Sequence, residues 1–311
     1  MVGTRTTENL VETRSRVGGL LRDWRQRRRL SQLDLALAAD TSSRHLSYVE
    51  TGRSKPSRAM VLRLCEALDV PLRERNILLL AADYAPAYRE SSLDDAGLAS
   101  VRSALDTMLA AHEPYPAVVI DRLWNVVTGN AAMGVMMHGI PEELLLPQPN
   151  VYRLVLHPDG LSARLANLTQ VRELFLDRLA RQASASGDPQ LRALYDEVAA
   201  YPRLPEPPNE SNDEVAQPSP FEVPLRIRTP FGEMRMFSTM ATFGAPADVT
   251  LSELAIELFY PLDEFTAAAL RGLAAATSPA ESGSERPESD PHATGGVHGL
   301  QNLIDRREEG R

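Results

Sequence analysis

Cysteine is almost missing from this chain: Cys65 stands alone among 311 residues. A single thiol excludes an internal disulfide and any zinc site built on two or more cysteines. Lysine is equally scarce, since Lys55 is the only lysine among 33 basic residues. No run of eighteen apolar residues occurs, which removes the usual signature of a membrane-crossing helix, and the first residues carry no apolar signal core. The expectation is a soluble, cytoplasmic protein with no membrane partner. Catalytic signatures are missing too: there is no H-E-x-x-H, no Walker loop and no G-x-G-x-x-G. His112, His138 and His157 are scattered without ligand spacing, and His292 and His298 lie in a polar tail. No catalytic residue, metal ligand or cofactor is expected. His157-Pro158-Asp159-Gly160 has the composition of an acid–base site but reads more simply as a helix-ending turn.

Charge is distributed unevenly. Up to Tyr84 the chain carries 15 basic and 10 acidic residues, a balance of +5, against −9 overall, so the remainder carries −14. An acidic body cannot hold nucleic acid by bulk charge, so any such binding needs a localised basic face. Residues 14–29 supply one, with seven arginines against the single acid Asp23. Val17, Leu20, Leu21, Trp24 and Leu30 mark the buried side of this first helix.

Residues 31–52, SQLDLALAADTSSRHLSYVETG, then read as two short helices joined by a tight turn. Ser31 and Asp34 form an S-x-x-D capping box. Leu33, Ala36 and Leu37 are placed on the inward side of the helix, flanked by Leu35, Ala38 and Ala39. Asp40 falls where the chain must turn, because Asp tolerates left-handed backbone better than most residues. Thr41 or Ser42 caps the next helix, which runs to about Glu50. That helix turns Leu46 and Val49 inward and leaves Ser43, Arg44, His45 and Ser47 outward. A polar face with one Arg at its start suits reading of the major groove, where guanidinium grips guanine O6 and N7. Further helices are predicted over 57–68, with Cys65 on its inner side, and over 71–82.

Residues 21–86 resemble the XRE type of helix-turn-helix, the five-helix fold of the lambda-repressor-like domains. L-S-Q-x-x-L-A at 30–36, the run at 44–53 and A-L-D-V-P at 67–71 carry the likeness. The resemblance implies double-stranded DNA as partner, and a homodimer that sets two reading helices in successive major grooves is expected. It places Gln32 on a phosphate, Ser43, Arg44, His45 and Ser47 at base edges, and Arg53 and Lys55 on backbone. Ser42, at the start of the reading helix, and Arg25, in the basic first helix, complete the candidate set. Asp40 departs from the family, which has Gly there.

After a polar hinge at Ser91–Ser92, a helix is predicted over 93–112 and two strands over 117–130, around an Asp121-Arg122 turn and with Trp124 on a strand. Helices follow at 150–157, 161–182 and 188–200. A hairpin is predicted over 223–243, a strand over 253–261 and a closing helix over 262–275. The plan is α+β: an antiparallel sheet with helices on one side. Its segments PAVVIDRLWNVVTGNAAM, NVYRLVLHPDG, DPQLRALYDEV and TPFGEMRMFSTMATFG resemble the MmyB-like ligand-binding domain, which has a PAS-like fold. The resemblance implies a small apolar, fatty-acid-like effector. Met133, Met136, Met137, Met234 and Met236 are the candidate ligand contacts, because their adaptable side chains suit a flexible apolar guest. The alternative is that they are core filler. Met234 and Met236 share a strand face and Phe237 takes the other.

The expected organisation is a flexible start (1–13), a helix-turn-helix domain (14–88), a linker helix (89–114), a PAS-like domain (115–275) and a disordered tail (276–311). Residues 201–220 form a long Pro-rich loop. Two other readings stay open for the second region: an adaptor that binds a protein, and an enzyme fused to a DNA-binding head.

Overall fold

The computed structural model describes residues 4–204 and 223–277, with side chains from 16 to 275 within those bounds. Most of the long Pro-rich loop and nearly all of the predicted disordered tail lie outside them. The chain divides into two compact units, Met1–Ser92 with Gly244–Ser252, and Leu93–Phe243 with Glu253–Arg311.

The first unit is built from α1 (Thr4–Arg27), α2 (Gln32–Ala38), α3 (Ser43–Glu50), α4 (Arg58–Ala67) and α5 (Leu72–Ala81). α1 begins well before residue 14, since neither Gly nor Pro interrupts residues 4–17. Its core gathers Val17, Leu21, Trp24, Leu35, Ala36, Leu46, Val49, Leu64, Cys65 and Leu79. The turns between helices use residues with positive φ: Arg29, Asp40 (φ 47°), Asp69 and Asp83. Ser31, Ser42 and Ser57 cap the helices that follow them, and Ser31 forms the capping box with Asp34. One expectation fails here. Leu33 and Leu37 are 58% and 72% exposed, while Leu35, Ala36 and Ala39 are buried. Both sets fit helical spacing, so periodicity over so short a helix does not choose between faces; packing against α3 and α4 does.

The second unit is an α+β domain. Its elements are α6 (Ala99–Ala111), β1 (Ala117–Ile120), β2 (Val126–Gly129), α7 (Gly134–Met137), α8 (Glu142–Leu145), α9 (Val151–Leu156), α10 (Leu168–Ser186), α11 (Pro189–Ala199), β3 (Leu225–Thr229), β4 (Gly232–Thr242), β5 (Ala255–Pro261) and α13 (Glu264–Thr277), with α12 (Val249–Ser252) in the first unit. The five strands form one antiparallel sheet in the order β2-β1-β5-β4-β3. The predicted 161–182 helix is broken, since only residues from Leu168 on belong to α10. Trp124 sits in the β1–β2 turn at positive φ rather than on a strand. Asp121 forces that turn, its Oδ1 accepting from the backbone of Leu123 and Asn125. All four residues of β1 are buried although their side chains alternate between faces, so the sheet is covered on both sides there.

Met234 and Met236 are buried in the core with Tyr152, Leu179 and Ile227. Phe237, on the opposite face, stacks on Tyr260. The β4–β5 connection leaves this sheet and belongs to the first unit. There Val249 is buried, its N–H donates to Arg89 O at 2.8 Å, and the Ser91 hydroxyl donates to Asp248 Oδ2 at 2.7 Å.

Candidate nucleic-acid interface

α3 is eight residues long and starts at a cap, with Ser42 Oγ accepting from His45 N at 3.1 Å. Leu46 and Val49 fix its inner side. Ser42, Ser43 and Arg44 are exposed at the leading end, and His45 and Ser47 are half-buried beside them. The Arg44 guanidinium lies 5.6 Å from the centre of the Tyr48 ring, and its Nε donates to Tyr48 Oη at 3.1 Å. The leading end of α3 therefore presents Ser42, Ser43 and a cation held over an aromatic ring.

The last residue of α3 holds the helix in place. Glu50 is buried, and its carboxylate accepts from Arg25 Nε at 2.7 Å, Arg25 Nη2 at 2.9 Å and Gln32 Nε2 at 2.8 Å. Arg25 Nη1 donates to Leu30 O at 2.9 Å as well. One carboxylate thus joins α1, α2 and α3. A buried charge costs free energy unless it is paired and hydrogen-bonded, and here both conditions are met. Gln32 was expected on a phosphate and Arg25 among the DNA contacts; the structure turns both side chains onto Glu50. Close approach of α1 to α3 also needs Gly18, where a Cβ would lie 2.4 Å from Val49 O.

Beyond α3, Arg53 is exposed in the loop, whereas Lys55 Nζ donates to Asp83 Oδ2 at 2.9 Å and lies 5.2 Å from the Tyr84 ring centre. Cys65 is fully buried, and burial pushes its thiol up to about 12, which keeps the reactive thiolate scarce at neutral pH. Sequence reasoning missed Glu50, Tyr48 and Asp83 as partners. For Glu50 a signal existed: it adjoins Val49 on the inner side of α3, where a charge demands an explanation.

In the second unit Met136, Met234 and Met236 are buried in the core, and Met133 and Met137 pack against it half-buried. Among the described residues there is no cluster of His, Cys, Asp or Glu able to hold a metal, and no helix long and apolar enough to cross a membrane.

Comparison with known proteins agrees with both units. Residues 101–273 match the model of the MmyB-like transcription regulator ligand binding domain, and residues 16–78 match a helix-turn-helix domain. The chain belongs to the MmyB-like transcription regulator family. Its similar proteins include uncharacterized HTH-type transcriptional regulators of Mycobacterium bovis and Mycobacterium tuberculosis, each 34% identical over 110 residues. Those matches cover 35% of this chain and 39% of each relative, so the chain spans well under half the length of the relatives it matches. In this MmyB-like chain the helix-turn-helix match encloses the Glu50 triad and the whole of α3.

Proposed function

We propose that this MmyB-like chain is a sequence-specific, DNA-binding transcriptional regulator whose second unit senses a small apolar, fatty-acid-like effector. The observation that carries the DNA reading is the leading turn of α3: capped, exposed, polar and armed with Arg44, on a helix anchored from behind by Glu50. In this reading Ser43, Arg44, His45 and Ser47 face base edges, and Ser42 lies at the backbone. Arg53 and Lys55 hold phosphates, which fix register without reading sequence. Arg25 and Gln32 act through Glu50 by setting the angle of the reading helix. A homodimer places two such helices about 34 Å apart, one turn of DNA. The effector reading rests on the family's ligand-binding domain and on the Met side chains gathered at its core. An effector changes DNA binding only as far as it prefers one arrangement of the dimer over another.

Competition gel shifts test the first part. Arg44→Ala costs about 1–3 kcal/mol at one base pair and relaxes specificity there. Unchanged discrimination by that variant overturns the assignment of the reading face. Native mass spectrometry of freshly purified protein tests the second part, with a retained apolar mass expected and a clean mass with a co-purified protein favouring the adaptor instead.

A further inference from the structure

β4 is the longest strand of the sheet, and its neighbours cover it unequally. β5 pairs with it from Met236 to Thr242, whereas β3 pairs with it only from Gly232 to Met236. Beyond Met236 one edge of β4 therefore has no strand beside it among the described residues. Leu262 N donates to Arg235 O at 2.9 Å, on the β5 side. Hydrogen-bonding direction alternates along an antiparallel strand, so Phe237, Thr239 and Ala241 also turn to β5. Ser238, Met240 and Thr242 turn their N–H and C=O groups to the open edge, where no described residue bonds them. Solvent reaches this edge, since Ser238, Thr239, Met240 and Thr242 are exposed, Met240 by 41%.

The outer strands of the sheet are not left this way. On β2, Val126 N donates to Pro149 O at 2.8 Å. On β3, Leu165 bridges to Ile227, and Ala166 N donates to Arg226 O at 2.8 Å. Natural sheets protect open edges with charges, prolines or bulges. Residues 238–242, Ser-Thr-Met-Ala-Thr, hold no charge and no proline, and they pair with β5 without a register shift. Nothing in the stretch stops a further strand from joining it.

We propose that the open edge of β4 pairs with the same edge of a second copy of this chain, antiparallel and centred on Met240. The segment is its own complement. Placing Met240 opposite the partner's Met240 sets Ser238 opposite the partner's Thr242, and Thr242 opposite the partner's Ser238. Each of these positions points its backbone to the edge, so every facing pair exchanges both of its hydrogen bonds. No like charges meet, and the two exposed Met240 side chains cover each other on one face of the sheet. The contact is isologous, as a two-fold dimer requires. A second copy is favoured over an unrelated partner because one register satisfies the edges of both chains at once. A five-residue ladder is smaller than a standard interface, so the dimer dissociates on dilution. This rests on the homodimer of the DNA reading and names where its two copies touch.

Sedimentation velocity of the full chain over a dilution series tests this. The parent shifts from monomer to dimer as concentration rises. Met240→Lys sets two ammonium groups face to face at the two-fold axis and stays monomeric at every concentration. Its melting temperature at high dilution matches the parent's, since position 240 is already 41% exposed. Cross-linking gives a second measurement. Cys65 is fully buried, so Met240→Cys adds the one accessible thiol. Across the axis the Cα atoms lie about 5.5 Å apart, within disulfide range. Air oxidation with copper–phenanthroline joins Met240→Cys chains into covalent dimers. It leaves Phe231→Cys monomeric, although that position, next to the other end of β4, is 84% exposed. A dimer that Met240→Lys leaves intact overturns this interface and leaves the homodimer standing, as do Met240→Cys chains that cross-link no better than Phe231→Cys. A parent that is monomeric throughout also overturns it and gives the edge to another occupant, and the gel-shift test of DNA binding is independent of that result.

Discussion

Glu50 accepts two hydrogen bonds from Arg25 across 25 positions of sequence, Nε to Oε1 and Nη2 to Oε2, and the two side chains are 2% and 12% exposed. This bidentate pair fastens the end of α3 to the basic first helix, with Gln32 completing the triad. Removing Arg25 strands a buried carboxylate. Arg25→Ala therefore destabilises the first unit by about 3–5 kcal/mol, as breaking a buried pair does. The double variant Arg25→Met, Glu50→Leu recovers most of that loss, because both charges leave together. Urea denaturation of the three proteins measures it.

Lys55 is held by Asp83, so in the proposed DNA reading a phosphate competes with a carboxylate for it. Asp83 has φ 60°, a left-handed conformation that Asn also tolerates. Asp83→Asn thus releases Lys55 without straining the turn. DNA binding tightens for all sequences alike, and specificity is unchanged. Lys55→Ala does the opposite and reduces the dependence of log K on log salt by roughly one ion. A salt titration of binding to specific and random duplexes separates the two effects.

Gly18 lies where α1 meets the carbonyls of Val49 and Glu50, at 2.4 Å and 2.7 Å from a would-be Cβ. These are backbone atoms and cannot swing away. Gly18→Ala forces α1 and α3 apart and costs about 1–3 kcal/mol, the usual range for overpacking. Gly19, its neighbour, meets nothing within 4 Å, so Gly19→Ala is the matched control and is neutral or slightly stabilising through helix propensity. Thermal melts of the two variants should diverge.

Burial raises the pKa of Glu257 above the ordinary 4.5, while Ser238 and Arg178 oppose the rise. Tyr152 of α9 and Arg178 of α10 are the titratable and charged groups that interact with it. The unfolded chain releases this proton near 4.5, whereas the folded one retains it to higher pH. The contribution of Glu257 to stability is therefore complete below that value and is lost as pH rises through the folded pKa. Glu257→Gln keeps the shape without the charge. The stability of this variant relative to the parent increases as pH is raised from 4.5, and is flat below it; denaturation at a series of pH values reads the difference.

The amino-acid order alone determined the five helices of the first unit, the two serine caps around α2 and α3, the left-handed turn at Asp40, the inward set Leu46 and Val49, and the strands and hairpin of the second unit. These are local properties, set by backbone preferences and by the spacing of apolar residues over a few positions. The tertiary structure decided what depends on distant partners. It exposed Leu33 and Leu37, although their spacing suited a core, because α3 and α4 cover the other side of α2. It turned Arg25 and Gln32 onto Glu50, brought Asp83 to Lys55, and carried Val249 from a strand connection into the helical unit. Among the described residues it left the Tyr152 hydroxyl without a partner. No window of sequence holds that information, since burial and pairing are set by which surfaces meet when segments far apart in the chain pack together.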